Sequence, residues 1–356
     1  MLATGTLAQA AVAAPSDQSA MSVRSDQSAT WSFVVSGDSR NCGDVVMPSI
    51  ARATRDSGAR FYWHLGDFRW IRDIDEDFAQ AHPGVGLDAY RAMAWDDFVE
   101  SQIAPFGDTP VMLGIGNHET VGGLTRQRYL ERFGQWLDAP ALHEQRLRDD
   151  PGAASPVPYY HWSIDGVDFI NLDNATSEQF DAPQMQWLRS VLDHDAADKG
   201  ISVIVLGMHE ALPNSIASDH SMGDSRQGVE SGRSVYQALL ALSKQNHKSV
   251  YVLASHSHFY MGNVFDTPYW RAHGGVLPGW IIGTAGARRY ELPRMLYGNR
   301  EHRAHVYGYL LGTVLPAGTA RRIRFQFHEL TEREVPAGTL ERYGAALVHE
   351  CYEHNP

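Results

Sequence analysis

The sequence predicts an α/β protein in which a mixed sheet carries helices on its outer faces, and three observations lead there. Short apolar runs recur from Trp31 onward, each ending in a glycine or a polar residue, as buried strands do when they deliver side chains at their C-terminal tips. The early runs alternate with helical stretches and the later ones become hairpin-rich, which favours a mixed sheet over a purely parallel one. The polar residues gather at the strand ends, where open α/β sheets place their ligands.

Taken in order, residues 1–30 read as a leader. MLATGTLAQAAVAAP is small and apolar and holds an A-x-A cleavage pattern at Ala11-Val12-Ala13, although no Lys or Arg precedes Arg24. This pattern predicts a secreted or periplasmic protein, and a cytoplasmic one if the segment is only an alanine-rich tail. SDQSA then occurs twice, at 16–20 and 25–29, in a run too polar to form a core. The main domain is placed at 31–335, with 336–356 as a tail packed on it or extending it.

Within the domain, Phe33 to Asp38, Ala59 to Asp67 and Val111 to Glu119 are three strands with their tips, and Val45 to Thr54 is the helix after the first. His161 to Asp173 reads as a hairpin around Asp165-Gly166, a dipeptide that tolerates positive φ, and this hairpin is expected to cover a sheet edge. Asp181 to Asp198 is a helix with Met185, Leu188 and Leu192 on one face. Ser202 to His209 and Ser249 to His258 are strands ending in histidine, joined through a helix over Ser234 to Gln245. Trp280 to Gly286 and Arg322 to Leu330 are late strands. The segments 70–108, 120–158 and 213–232 are read as loops shaping a pocket.

Composition narrows the function. Over 356 residues, 43% are hydrophobic and 20% charged, as in ordinary folded domains, and the formal net charge of −12 gives no support to non-specific nucleic-acid binding. No apolar run after residue 30 is long enough to span a bilayer. Two cysteines, Cys42 and Cys351, are either one disulfide or two separate thiols.

The strand tips read GDSR, GDFRW, GNHE, MHE and SHSH. Each alone has a bland explanation as a turn, a cap or a core histidine. Together they are carboxylate, amide and imidazole donors on separate strands, a set that points to a metal site. The tips resemble those of the calcineurin-like metallophosphoesterase superfamily, whose blocks run D-x-H, G-D-x-x-D, G-N-H-[ED], H and G-H-x-H. The resemblance covers roughly residues 33–286 and implies a four-layer α/β/β/α sandwich with mixed sheets. It further implies a dinuclear centre in which Asp67 bridges, Asp38 and His258 serve one metal, and Asn117, His209 and His256 serve the other. His118 is then the catalytic acid and a phosphate contact, with Glu119 orienting it. The implied reaction is hydrolysis of a small phosphorylated substrate, a phosphomonoester or diester, by hydroxide held on two ions of Mn, Fe, Zn or Ni, without a covalent intermediate.

Two departures bear on that expectation. Arg40 stands where D-x-H has its histidine, and a guanidinium does not ligate metal. Purple acid phosphatases, which also lack that histidine, supply a tyrosine where this chain has Trp70. The first cation therefore loses a ligand and is completed by water, Asn41, Cys42 or a tyrosine, or is weakened or lost. Arg40 is instead a candidate for gripping substrate phosphate, with Arg69 and Arg72 behind it. His64 and His161 are read as structural, His220 and His273 as pocket-lining, and Tyr90, Trp70 and Trp95 as packing or stacking groups. The rival readings are an altered or mononuclear site acting on another ester, and a non-catalytic module that binds a phosphorylated ligand. A zinc peptidase has no H-E-x-x-H to support it.

Overall fold

The computed structural model describes residues 29–153, 155–175, 179–223, 225–319 and 321–354, so the predicted leader lies outside them apart from its last two residues. The first half contains β1 (Trp31–Ser36), α1 (Gly43–Asp56), β2 (Tyr62–His64), α2 (Glu76–Ala81), α3 (Leu87–Phe98), β3 (Val111–Leu113), α4 (Arg126–Leu137) and α5 (Pro140–Asp149). The second contains β4 (Tyr160–Ile164), β5 (Val167–Asn171), α6 (Ala182–Ala197), β6 (Val203–Met208), α7 (Arg226–Gln245), β7 (Ser249–Ala254), β8 (Tyr260–Gly262), α8 (Pro268–Ala272) and β9 (Gly279–Ile282). Then come β10 (His302–Arg303), β11 (Tyr307–Val314), β12 (Ile323–Leu330) and α9 (Ala337–Glu353).

These strands form two mixed sheets, ordered β12-β11-β1-β2-β3 and β10-β8-β9-β7-β6-β5-β4. β1, β2 and β3 run parallel in the first, and β5, β6, β7 and β9 run parallel in the second. The sheets pack face to face through aromatic side chains. Phe33 and Phe61 of the first stand edge-on to Phe169 of the second at 5.0 and 5.1 Å between centroids, and Trp63 meets Trp162 at 5.1 Å, distances typical of favourable ring pairs.

Strands of the second sheet are apolar on both faces because both are covered. In β6, Val203 and Val205 join the inter-sheet core, while Ile204, Leu206 and Met208 join a second core with Leu188 and Leu192 of α6 and Val235 and Leu239 of α7. The period of two thus splits one apolar run between two interiors. With α1 and α4 outside the first sheet, the layers are α/β/β/α, as expected.

The Asp165-Gly166 hairpin is present, with φ of 54° and 78°, and β4 forms the edge of its sheet. His161 anchors it. Its Nδ1 lies 2.8 Å from Asp168 Oδ2 and its Nε2 lies 3.0 Å from Asp149 Oδ2, so both nitrogens donate. Burial disfavours the charge, but the two carboxylates outweigh it and push the imidazole up to about 10.

Of the three regions read as loops, two are largely helical and the third is shorter than expected. Residues 70–108 hold α2 and α3, and 120–158 hold α4 and α5. In α4 the buried residues Tyr129, Phe133, Trp136 and Leu137 keep the spacing i, i+4, i+7, i+8, a helical signal within a sequence otherwise rich in Arg and Gln. The loop assigned to 213–232 ends at Ser225, whose hydroxyl accepts the Gly228 N–H at 2.9 Å and starts α7. The first turns of α7 lack an apolar face that the sequence would reveal. A Cβ on Gly232 would stand 2.4 Å from Pro213 Cδ, so glycine lets the helix press against the loop before it.

Cys42 and Cys351 form a disulfide that joins the residue before α1 to α9, across 309 positions. Helix α9 packs against α1 and α2. Cys42 is therefore not a metal ligand.

Two outcomes follow. Cys42→Ser should lower unfolding free energy by about 2–4 kcal/mol, read by denaturant titration, with reductant matching it in the wild type; no loss in either would mean that packing of α9 suffices. His161 has its pKa raised from 6.5, so its stabilisation is complete below about 6.5 and is lost as pH rises through about 10. The wild-type melting temperature should fall across that window more steeply than that of His161→Gln, and equal slopes would remove His161 as the cause.

Candidate metal centre

The carboxyl ends of β1, β2, β3, β6 and β7 meet at one edge of the sandwich, and the two sheets are stitched there. Gly37 N–H donates to Ile282 O at 3.0 Å, and His209 Nδ1 and Ser255 Oγ, both beyond the second sheet, reach Leu65 O at 3.0 Å. Asp38, Asp67, Asn117, His118, His209, His256 and His258 all come together at this edge. Asp38, Asp67 and His256 adopt left-handed backbone, with φ of 62°, 62° and 64°. Non-glycine residues hold that conformation only where their surroundings over-determine it.

Glu119 provides much of that determination. It is fully buried and accepts three backbone N–H groups, from Gly116 at 2.7 Å, Asp67 at 2.8 Å and Phe68 at 2.9 Å. Burial and the nearby Asp67 charge push its carboxyl up to about 8 against the pull of those amides. It ties the β2 tip to the β3 tip and does not touch the His118 ring, which corrects its expected role. Gly116 must be glycine here, because a Cβ would meet Asp67 Oδ1 at 2.3 Å.

Four donor atoms form one cradle. His209 Nε2 lies 3.0 Å from Asn117 Oδ1, 3.0 Å from His256 Nδ1 and 3.4 Å from Asp67 Oδ1. His209 Nδ1–H is committed to Leu65 O and Ser255 Oγ, so Nε2 is the nitrogen that faces the cradle, the outer-sphere arrangement of metal-binding histidines. Burial opposes charge on His209, yet Asp67 and Asp38 push it up to about 10, so the cradle as a whole favours a positive charge. Asp67, Asn117, His209 and His256 fit a divalent cation by atom type, spacing and second-sphere support.

The other half is different. Burial raises the Asp38 carboxyl, but the neighbouring His209 and His258 bring it down to about 2. Asp38 Oδ2 accepts the His256 N–H at 2.7 Å, and Oδ1 lies 3.2 Å from His258 Nε2. Into this place reaches Arg40, only 7% exposed. Its Nη2 lies 2.7 Å from His258 Nε2, its Nη1 bonds His118 Nε2, and its Nε stands 3.9 Å from Asp67 Oδ2. Asp38, Asp67 and His258, the residues implied for a first cation, therefore surround a guanidinium, and in this arrangement they do not fit a metal ion.

His118 Nδ1 bonds Trp70 O, which leaves Nε2 facing Arg40. Burial, with Arg40 adding to it, holds its pKa down to about 4 despite Asp67. The loop carrying Trp70 is fixed by Arg69, which is fully buried among Asp44, Asp75, Asp77 and Asp97. Arg69 is thus unavailable to a phosphate, which removes it as a candidate. Tyr90 donates to Asp75, and Trp95 packs on Phe133, so both are structural. His64 bonds Ser39 Oγ and the Gly66 N–H and is pushed down to about 3 by burial, a structural role as expected. His273 stacks on Tyr269 at 4.0 Å beyond α8, away from these residues.

His220 does lie at the site, 5.6 Å from the His256 ring, and it lines a cavity of about 370 Å³ together with Phe259, Leu292, Arg294 and Tyr297. Sequence reasoning missed Tyr290, which stacks on His258 at 3.9 Å and on His220 at 5.0 Å. It sits in a segment without periodicity, and no signal marks it.

The fold is a two-sheet α/β/β/α sandwich with the donor residues gathered at one edge. A purple acid phosphatase, PPD1, from yellow lupin (Lupinus luteus) seeds superposes with a TM-score of 0.53 at 15% identity, over 85% of this chain and 52% of that one. PhoD superposes with a TM-score of 0.52 at 14% identity, over 81% and 64%. A dimetal phosphatase from Danio rerio superposes with a TM-score of 0.51 at 13% identity, over 84% and 98%. The chain thus spans about half the length of the lupin protein and under two thirds of PhoD. No curated protein matches it in sequence. The family model for calcineurin-like phosphoesterases matches residues 46–260, and the chain belongs to that family.

Removing the Glu119 acceptor should be costly. Three buried amides left unpaired amount to about 3 kcal/mol or more, so Glu119→Ala should unfold at markedly lower denaturant and Glu119→Gln should fall between. A variant as stable as the wild type would show that the β2 and β3 tips hold without it.

Proposed function

We propose that the protein hydrolyses small phosphoric esters with a divalent cation in the cradle of Asp67, Asn117, His209 and His256 and with Arg40 gripping the phosphoryl group. The convergence of four ligand atoms beside a buried guanidinium is the observation that carries this reading. A cation bound there supplies a Lewis acid for a phosphoryl oxygen and lowers the pKa of water.

The side chains divide the remaining work. Arg40 offers forked N–H donors suited to two oxygens of one phosphoryl group. Asn117 contributes an oxygen without adding charge that would repel a phosphate dianion. His118, its Nδ1 held on Trp70 O, has only Nε2 to exchange a proton with substrate. When the phosphoryl oxygens take over the Arg40 donors, Nε2 is released, and the added negative charge favours its protonated form, the acid for the leaving oxygen. The cavity beside His220 has mixed apolar and polar walls that suit the leaving alcohol. The second cation of the dinuclear expectation is not part of this reading, because Arg40 stands among its ligands. Secretion or a periplasmic location is also proposed, on the support of the Cys42–Cys351 bond, since such bonds persist in oxidising compartments.

Asp67→Ala should lose both bound metal, read by elemental analysis, and turnover of chromogenic phosphate mono- and diesters. His118→Asn should keep its metal but lose about 10²–10⁴ in kcat on alkyl phosphates, with little loss on a nitrophenyl ester whose leaving group needs no acid. Absence of metal-dependent hydrolysis across both ester classes would end this reading, and an equal His118→Asn loss on both leaving groups would end the acid role.

A further inference from the structure

We propose that the Arg40 guanidinium is a permanent replacement for one cation, so that the centre holds a single metal ion and one arginine. This rests on the cation reading of the Asp67, Asn117, His209 and His256 cradle.

Four observations carry it. First, the guanidinium uses the donor atoms that a second cation would need. Nη2 takes the lone pair of His258 Nε2 at 2.7 Å, the atom that lies 3.2 Å from Asp38 Oδ1. Arg40 Nε and Asp67 Oδ2, both buried without a hydrogen-bond partner, face each other at 3.9 Å as donor and acceptor. Second, two imidazoles that present lone pairs both meet the guanidinium. His258 and His118 each commit Nδ1–H to a backbone carbonyl, of Arg288 and Trp70, so both Nε2 atoms are acceptors aimed at one guanidinium.

Third, Arg40 is held in place from both sides. Ser39 N–H donates to Asp67 O at 2.9 Å, Asn41 N–H donates to Asp75 at 2.6 Å from left-handed backbone, and Cys42 is tied to α9. Trp70 offers nothing in exchange, since an indole is a donor only and its face is covered by Arg288 at 4.6 Å. Fourth, the charges close. Asp38 and Asp67 carry two negative charges against one from the guanidinium, and one divalent cation then leaves a net positive site for a phosphate. A second divalent ion would be pressed against a group that stays protonated at every accessible pH.

The consequence is a site in which one of the three positive charges is covalently attached and oriented. Its metal dependence is that of one site, without interaction between two ions.

The test is Mn(II) binding to the full chain, with stoichiometry from calorimetry and elemental analysis and the spin state from electron paramagnetic resonance. The wild type should bind one ion per chain with an isolated-ion spectrum. Arg40→His, which recreates an aspartate-x-histidine ligand pair, should bind two with an exchange-coupled spectrum. Two coupled ions in the wild type would overturn the proposal while leaving the cradle intact. A single ion in a folded Arg40→His would show that the guanidinium is not what excludes the second. No binding to the wild type would overturn the cradle and the proposal together, and His209→Ala, expected to bind none, identifies the cradle as the occupied position. If Arg40→His does not fold, the wild-type stoichiometry still decides.

Discussion

Two buried carboxylates, Asp38 and Asp67, set the terms for everything around them. Both are fully buried where the two sheets meet, and a buried charge persists only where opposite charge and donors surround it. Arg40, the amide donors and the histidine cradle are the answer to that constraint. The left-handed tips, the Glu119 clamp and the Arg69 network are in turn what holds those groups in range. Read outward from the carboxylates, the sandwich is a scaffold for keeping two negative charges dry.

The site was legible because its donors sit on strand tips. A strand that ends in Gly-Asp or Gly-Asn-His states its chemistry locally, and the tips of β1, β2, β3, β6 and β7 could be read one at a time and then summed. The layer order was legible for a similar reason, since continuous apolar runs such as Val203 to Met208 require cover on both faces. The family resemblance added the division of ligands between two cations, and that division is where Arg40 intervenes.

What was not legible depends on distance in space. Glu119 looks local to His118 in sequence, but its side chain turns back to the amides of Gly116, Asp67 and Phe68, and nothing in Asn-His-Glu announces that direction. Helix α3 buries Asp97 together with Tyr90, Ala94, Trp95 and Phe98, so its inner face is not apolar, and only the Arg69 network explains why an aspartate belongs there. Position 232 in α7 is glycine because it lies against Pro213. Tyr290 reaches His258 from a stretch without regular structure. In each case the reason lies on a different element from the residue.

The pairing of β1 with β11 and the bond from Cys42 to Cys351 also bear on how the molecule is made. The tip that carries Asp38 and Arg40 is the first of the five to leave the ribosome, yet its neighbouring strand lies at 307–314 and its covalent anchor at 351. Such long-range closures are slow and come late in folding. The earliest part of the site to be synthesised is therefore the last to be locked, and a nascent chain has no finished centre before α9 has docked.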